Sequence, residues 1–396
     1  MRRIIVGVVA LIISVATVGD VEAQGFLKNL GKAIEKEVVK EINNSKKKKK
    51  DTAQPKKESK SQNDNRVQEQ SSSTSSKRKN SSKSSSQAIS VSPKEVCYNP
   101  TILRDGPTGA EIEIDGINYM ILVDQFSKKA YLSGVAESLK GKTTHVKVWG
   151  GIQYKGEVVP VVYIKAGAFR AETLTSIELP QNLQEIQEQA FFNSSLKKVV
   201  IYGSTWRIGA GAFAASQLES VEMREGVTRI EGNAFAGCWN LTTVRIPESI
   251  EKIDIHAFYD CKNLSTVYLP TSMKTIPAQI FVDCKSLTRY SIPSSVERIG
   301  ERAFMGTGLE SVLIPLNVKY IEEEAFAMCE NLKKVTIPST VEKIEQGAFE
   351  GCTGITDVYI NVKFKDVRLL AEIFGPGSHL FTSYNLDECK AFHWTE

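Results

Sequence analysis

A phenylalanine recurs at Phe169, Phe191, Phe213, Phe235, Phe258, Phe281, Phe304, Phe326 and Phe349, always 22 or 23 residues apart. Alanine precedes it in every copy except one, where Ile280 stands instead. Around each copy lies a common frame, clearest from residue 234 to residue 258: Ala234-Phe235, then Cys238, Leu241, Val244, Ile246, Pro247, Ile250 and Ile253, then Ala257-Phe258. A unit this short cannot bury its own apolar face, so copies in register must stack as coils and share one core. The residues that recur therefore point inward. In a chain of 396 residues, length then measures the number of coils rather than the number of domains.

The frame also sketches one coil. Val244-Arg245-Ile246 alternates apolar and polar residues and predicts a short strand. Copies of it stacked in parallel at about 4.8 Å would give a sheet roughly 40 Å long. The proline that follows, at Pro180, Pro247, Pro270, Pro293, Pro315 and Pro338, cannot donate to a ladder and ends each strand. Ile250 and Ile253 line the return path, and the Ala-Phe segment makes a tight helical turn, with alanine where backbones approach closely.

This frame resembles the BspA-like leucine-rich repeats of surface proteins from oral and gut bacteria. The likeness covers about residues 160 to 360, and the segments DGINYMIL and YKGEVVPVVYI resemble the lead-in such proteins often carry. It implies a leucine-rich-repeat solenoid with short parallel β-strands over residues 164–361. It also implies an exported surface protein that binds or adheres, some relatives engaging host matrix proteins.

The flanking segments are of other kinds. Residues 1–23 carry Arg2 and Arg3, an apolar run from Ile4 to Val18 and Val21-Glu22-Ala23 before Gln24, the pattern of a secretory signal peptide. That run falls short of the roughly 20 residues needed to span a membrane. Secretion or the cell surface is the expected location, the periplasm being the other compartment such a segment allows. Residues 24–42 repeat apolar positions at helical spacing and predict a short amphipathic helix. Residues 43–92, rich in Ser and Lys, have too few apolar side chains to offset chain entropy and predict a disordered linker. Residues 24–96 hold 18 Lys and Arg against 8 Asp and Glu, a net of +10; with 1–23 neutral and a total of +4, the remaining residues carry −6. The basic balance thus belongs to the tether, which has no aromatics beyond Phe26; nucleic acid is not an expected partner, whereas contact with anionic envelope polymers stays open. Residues 93–163 alternate around Asp115-Gly116 and Lys155-Gly156, which predicts β-hairpins forming an N-terminal cap, and residues 362–396 form a C-terminal cap.

Little in the chain points to catalysis, a cofactor or a metal. Cys238, Cys261, Cys284, Cys329 and Cys352 each follow the repeat phenylalanine by three residues, where other copies have Ser194, Ser216 and Thr307. Parallel side-chain vectors one coil apart suit neither a disulfide nor tetrahedral zinc, so buried free thiols are expected. Cys97 and Cys389 flank the array and could pair only if its ends met; Cys389 and His393 lack a third group to orient them. His145, His256 and His379 stand alone. Binding should instead use strand positions that the frame leaves free. Arg245, Tyr268, Arg289, Leu313 and Tyr359 form a stripe of the composition enriched at protein interfaces, and the expected partner is a protein or a glycan, host extracellular matrix included. The alternative is a structural envelope component held by its basic linker.

Overall fold

The computed structural model describes residues 91–123, 127–361, 367–375, 378–380 and 391–395. The segments read as signal peptide, amphipathic helix and all but the last residues of the linker lie outside them, as does Cys389.

The folded part opens with an antiparallel meander, Thr101–Gly106, Gly109–Ile114, Ile117–Val123 and Lys128–Val135. Both two-residue turns foreseen in the sequence are made by residues with positive φ, Asp115 (51°) with Gly116 (74°) and Lys155 (47°) with Gly156 (82°). That handedness matches the twist of the paired strands. The meander joins the coils directly: Lys128–Val135 pairs in parallel with Glu157–Ile164, which pairs in parallel with Glu185–Ile186. His145–Lys147 likewise pairs with Ser176–Glu178 and supplies the first rung on the opposite side of the coils.

The repeat phenylalanines stack ring on ring, fully buried. Over most of the array their centroids lie 4.9–5.2 Å apart with planes within 9°. Each ring is worth about 1.5–3 kcal/mol of burial. The turn around each ring divides its N–H groups between two destinations. Ala212 and Ala214 donate three residues back, to Gly209 and Gly211, while Gly211, Phe213 and Ala215 donate to Gly232, Ala234 and Ala236 of the next coil. Aiming alternate N–H groups along the stack requires left-handed backbone two residues before and two after each phenylalanine, as at Gly211 (φ 59°) and Ala215 (φ 58°). The same two places hold Gln189 and Asn193, Asn233 and Gly237, and His256 and Asp260 in neighbouring coils.

Among the described residues the cysteines are free and buried, Cys97 included. Cys238 Sγ donates to the Phe213 carbonyl one coil back at 3.2 Å, and Cys261, Cys284, Cys329 and Cys352 repeat the contact. The slot wants a small side chain with a weak donor. Burial pushes the Cys238 thiol up to about 12 and raises Cys261 and Cys284 as well.

Two features differ from the sequence reading. The return path is itself a parallel ladder of two-residue strands, Glu185–Ile186, Arg207–Ile208, Arg229–Ile230 and Lys252–Ile253, then Thr275–Ile276, Arg298–Ile299, Tyr320–Ile321 and Lys343–Ile344. And both ladders are interrupted near the middle of the array, the return ladder between Ile253 and Thr275 and the front ladder between Tyr268 and Ser311. The return ladder divides after Ile253. In the other coils the residue after the inward isoleucine donates to the isoleucine one coil back, as Asp254 does to Ile230 and Gly300 to Ile276. Pro277 occupies that place and has no N–H. The front ladder, from His145–Lys147 to Thr266–Tyr268, resumes only at Ser311–Leu313, because residues 289–291 form no strand. There Tyr290 replaces the inward valine. Its ring wedges in 6.3 Å from Phe281 and 5.4 Å from Phe304, and here the repeat phenylalanines tilt by 24° and 29°, against 9° or less between the other repeat rings. A nine-rung front sheet was expected; an oversized side chain in a valine slot displaces one rung.

The array ends in a coil the repeat pattern does not announce. In helix Val367–Phe374, Ile373 and Phe374 take the Ala-Phe role: Phe349 N–H donates to the Ile373 carbonyl at 2.9 Å and Phe374 stacks on Phe349 at 5.3 Å. Phe392–Thr395 then adds a last front rung beside Asp357–Asn361.

Candidate ligand-binding face

On the front rungs the inward residues are apolar, most often Val and Ile, so the residue between them faces solvent and comes into line with its counterparts one coil away. Register places Arg245 beside Tyr268, and Leu313, Thr336, Tyr359 and His393 side by side. Arg245 lies over the Tyr268 ring, guanidinium 4.1 Å from the centroid. Tyr268 is 46% exposed and Leu313 70%. Leu316, which follows Pro315 at the end of the same rung, is 71% exposed.

At the far end of the row Tyr359 is covered on both sides. Lys334 Nζ stands 4.4 Å from its ring centroid and the His393 ring stacks at 4.5 Å. His393 Nε2 meets Asp357 Oδ1 at 2.9 Å, and that hydrogen bond, more than any other cause, holds the Asp357 carboxyl below its ordinary value.

Of the five residues singled out in the sequence, the structure brings Arg245 and Tyr268 into contact and sets Leu313 and Tyr359 in one row, with Thr336 between them. Arg289 belongs to the displaced rung, one place before Tyr290, and is exposed. Leu316 and His393 were missed; Leu316 lies beyond the strand, and His393 is outside the repeat frame. The remaining histidines are used locally. His145 Nδ1 pairs with Ser176 Oγ at 2.8 Å, His379 Nε2 lies 2.8 Å from the Ile355 carbonyl, and burial lowers the pKa of the half-buried His256. Among the described residues no three His, Cys, Asp or Glu side chains are placed to hold a metal ion, and no helix is long and apolar enough to cross a membrane.

The model of the BspA type leucine-rich repeat region matches residues 159–265 and 252–371, in six copies, together more than half of the chain. Similar solved structures include a leucine-rich repeat protein from Eubacterium ventriosum, 23% identical, with a TM-score of 0.40 over 49% of this chain and 51% of that one. This chain thus spans about half the length of that protein. A leucine-rich cell surface protein from Faecalibacterium prausnitzii is 17% identical, with a TM-score of 0.32, over 68% of this chain and 98% of that one. The pneumococcal vaccine antigen PcpA is 16% identical, with a TM-score of 0.42, over 64% and 82% respectively. No curated protein matches the chain. With the frame, the coils and the family match in agreement, the chain belongs to the BspA-type leucine-rich repeat proteins.

Proposed function

We propose that this is an exported protein, displayed at the cell surface or secreted, that binds a protein or glycan partner through the front face of its coils and catalyses no reaction. One observation carries the reading. Along the row from Arg245 to Tyr359 the side chains change from coil to coil in size and charge, while the residues on either side of each stay apolar and buried except at the displaced rung of Tyr290. A surface whose only task was to cover the core would need no aromatic, arginine and exposed leucine side by side, the types that anchor interfaces. Family resemblance supports surface display.

The test is to pass the secreted form over an array of host matrix proteins and glycans, then repeat any capture with Tyr268→Ala/Arg289→Ala. Neither residue supports the core, so the melting temperature should hold while affinity falls by about 2 kcal/mol or more if they are anchors. Unchanged capture by that variant would refute the reading. The net +10 of residues 24–96 favours a second one, a structural envelope component held by its tether. Replacement of Lys46 to Lys50 would then abolish surface association, and salt would weaken it steeply, because contacts between exposed charges are screened within about 10 Å at 0.1 M.

A further inference from the structure

Resting on that reading of the front face, we infer that its partner is a short acidic stretch of polypeptide carrying an apolar side chain, seated where the front ladder is interrupted between Tyr268 and Leu313. Four observations converge. The first concerns charge. Residues 97–396 carry a net −6, yet the middle of the face presents Arg245, Arg289 and Lys334, and none of the strand residues aligned with them between Thr243 and Thr336 is acidic. A basic patch on an acidic body favours an anionic partner at that place.

The second concerns the arginines themselves. Elsewhere on the coils Arg207, Arg224, Arg229, Arg298 and Arg302 each meet a glutamate, and Arg170 meets Gln189. Among the described residues Arg245 and Arg289 have no carboxylate partner, so their planar forks remain free to take one in bidentate fashion.

Third, the patch is apolar where the charges leave off. Leu313 and Leu316 are 70% and 71% exposed and lie on the far side of Ser291 from Tyr268. With the ring of Tyr290 drawn into the core, the displaced rung fills its place in the row with the small, exposed Ser291, between two larger neighbours. Rungs spaced at about 4.8 Å put Arg245 and Leu313 roughly 14 Å apart, the reach of about four extended residues.

Last, most faces of the aromatic rings in the row are already occupied. Sugar recognition commonly uses an open aromatic face, but Arg245 covers one face of Tyr268, and Lys334 and His393 take those of Tyr359. Free leucines with free arginines fit an acidic, leucine-like peptide better than a carbohydrate ring.

The experiment pans a random dodecamer phage-displayed peptide library against the full mature chain and measures enriched peptides by fluorescence anisotropy at about 0.15 M salt. Enriched sequences should place Asp or Glu around a Leu, Ile or Phe. Charge-reversed versions, in which lysine replaces each acid, should bind at least about tenfold more weakly, a loss of about 1.4 kcal/mol. Arg245→Gln/Arg289→Gln and, separately, Leu313→Ser should each weaken binding about tenfold with the melting curve unmoved. Enrichment without acidic bias, no enrichment, or affinity unmoved by these variants would overturn the inference. So would heparin displacing the peptide and itself binding independently of Leu313, since a purely anionic site would then suffice. Should the array instead yield a glycan whose capture is lost with Tyr268→Ala/Arg289→Ala, the binding role stands and the acidic-peptide partner falls.

Discussion

Replacing Tyr290 by phenylalanine should make the protein more stable. The Tyr290 hydroxyl is buried and has no hydrogen-bond partner, while its ring packs between Phe281 and Phe304. A buried polar group left unpaired costs about 1–3 kcal/mol. Deleting one oxygen leaves a void of about 10–15 Å³, which at roughly 24 cal/mol per Å³ returns only about 0.3 kcal/mol. The ring stays, so the tilt of the neighbouring phenylalanines stays too. The net gain is about 1–2 kcal/mol, or about 2–3 °C in melting temperature for a folded unit of this size, taking an unfolding entropy of about 2 cal/mol/K per residue. Urea unfolding followed by tryptophan fluorescence and by far-ultraviolet circular dichroism would check the gain and show whether the array melts as one unit. A Tyr290→Phe protein less stable than the parent would refute the reasoning, since the hydroxyl would then have a partner, an enclosed water being the obvious one.

Two further outcomes follow from the coil geometry. Phe258→Ala should cost about 3–5 kcal/mol through transfer and cavity terms, measured by chemical denaturation. Cys261→Ser should cost less than about 1.5 kcal/mol, because a hydroxyl can make the same donation to the Phe235 carbonyl and Ser216 already fills the slot two coils earlier. Thiol-reactive probes should leave the stacked cysteines unmodified until the chain unfolds. Because burial raises the folded-state value of Cys238 from 9.0 to about 12, the native thiol keeps its proton where the unfolded one has lost it. Stability should therefore be flat below pH 9 and fall with rising pH between those two values, checked by melting curves across that range. A rise in stability there would contradict the buried, neutral thiol.

The sequence made the coils legible because the inward residues repeat at every turn, and the cap hairpins because Asp115-Gly116 and Lys155-Gly156 are turn formers in themselves. The return ladder was hidden by its length: a rung of two residues such as Lys252–Ile253 is too short for alternation to show. The interruption left signs that a local reading passes over. Pro277 follows an inward isoleucine outside the proline position of the frame, and Tyr290 stands in a valine column, a mismatch of size that matters only once neighbours on both sides are in place. For the face, alternation identified which residues point outward. It could not show that Tyr268 is covered by Arg245, a contact between residues 23 apart that exists only when coils are stacked, nor that residues 289–291 leave the ladder.

The alternating destinations of the turn N–H groups give the array a direction. Each coil hands two or three donors forward to carbonyls that only its successor can supply, so no ordinary coil can be the last. Helix Val367–Phe374 resolves this by presenting the Glu372 and Ile373 carbonyls to Gly347 and Phe349 and then closing on its own bonds. A chain cut before Val367 would end on a flat, donor-rich cross-section with an exposed phenylalanine at its centre. Such an end has the shape and polarity to be capped by any other coil that offers a row of carbonyls.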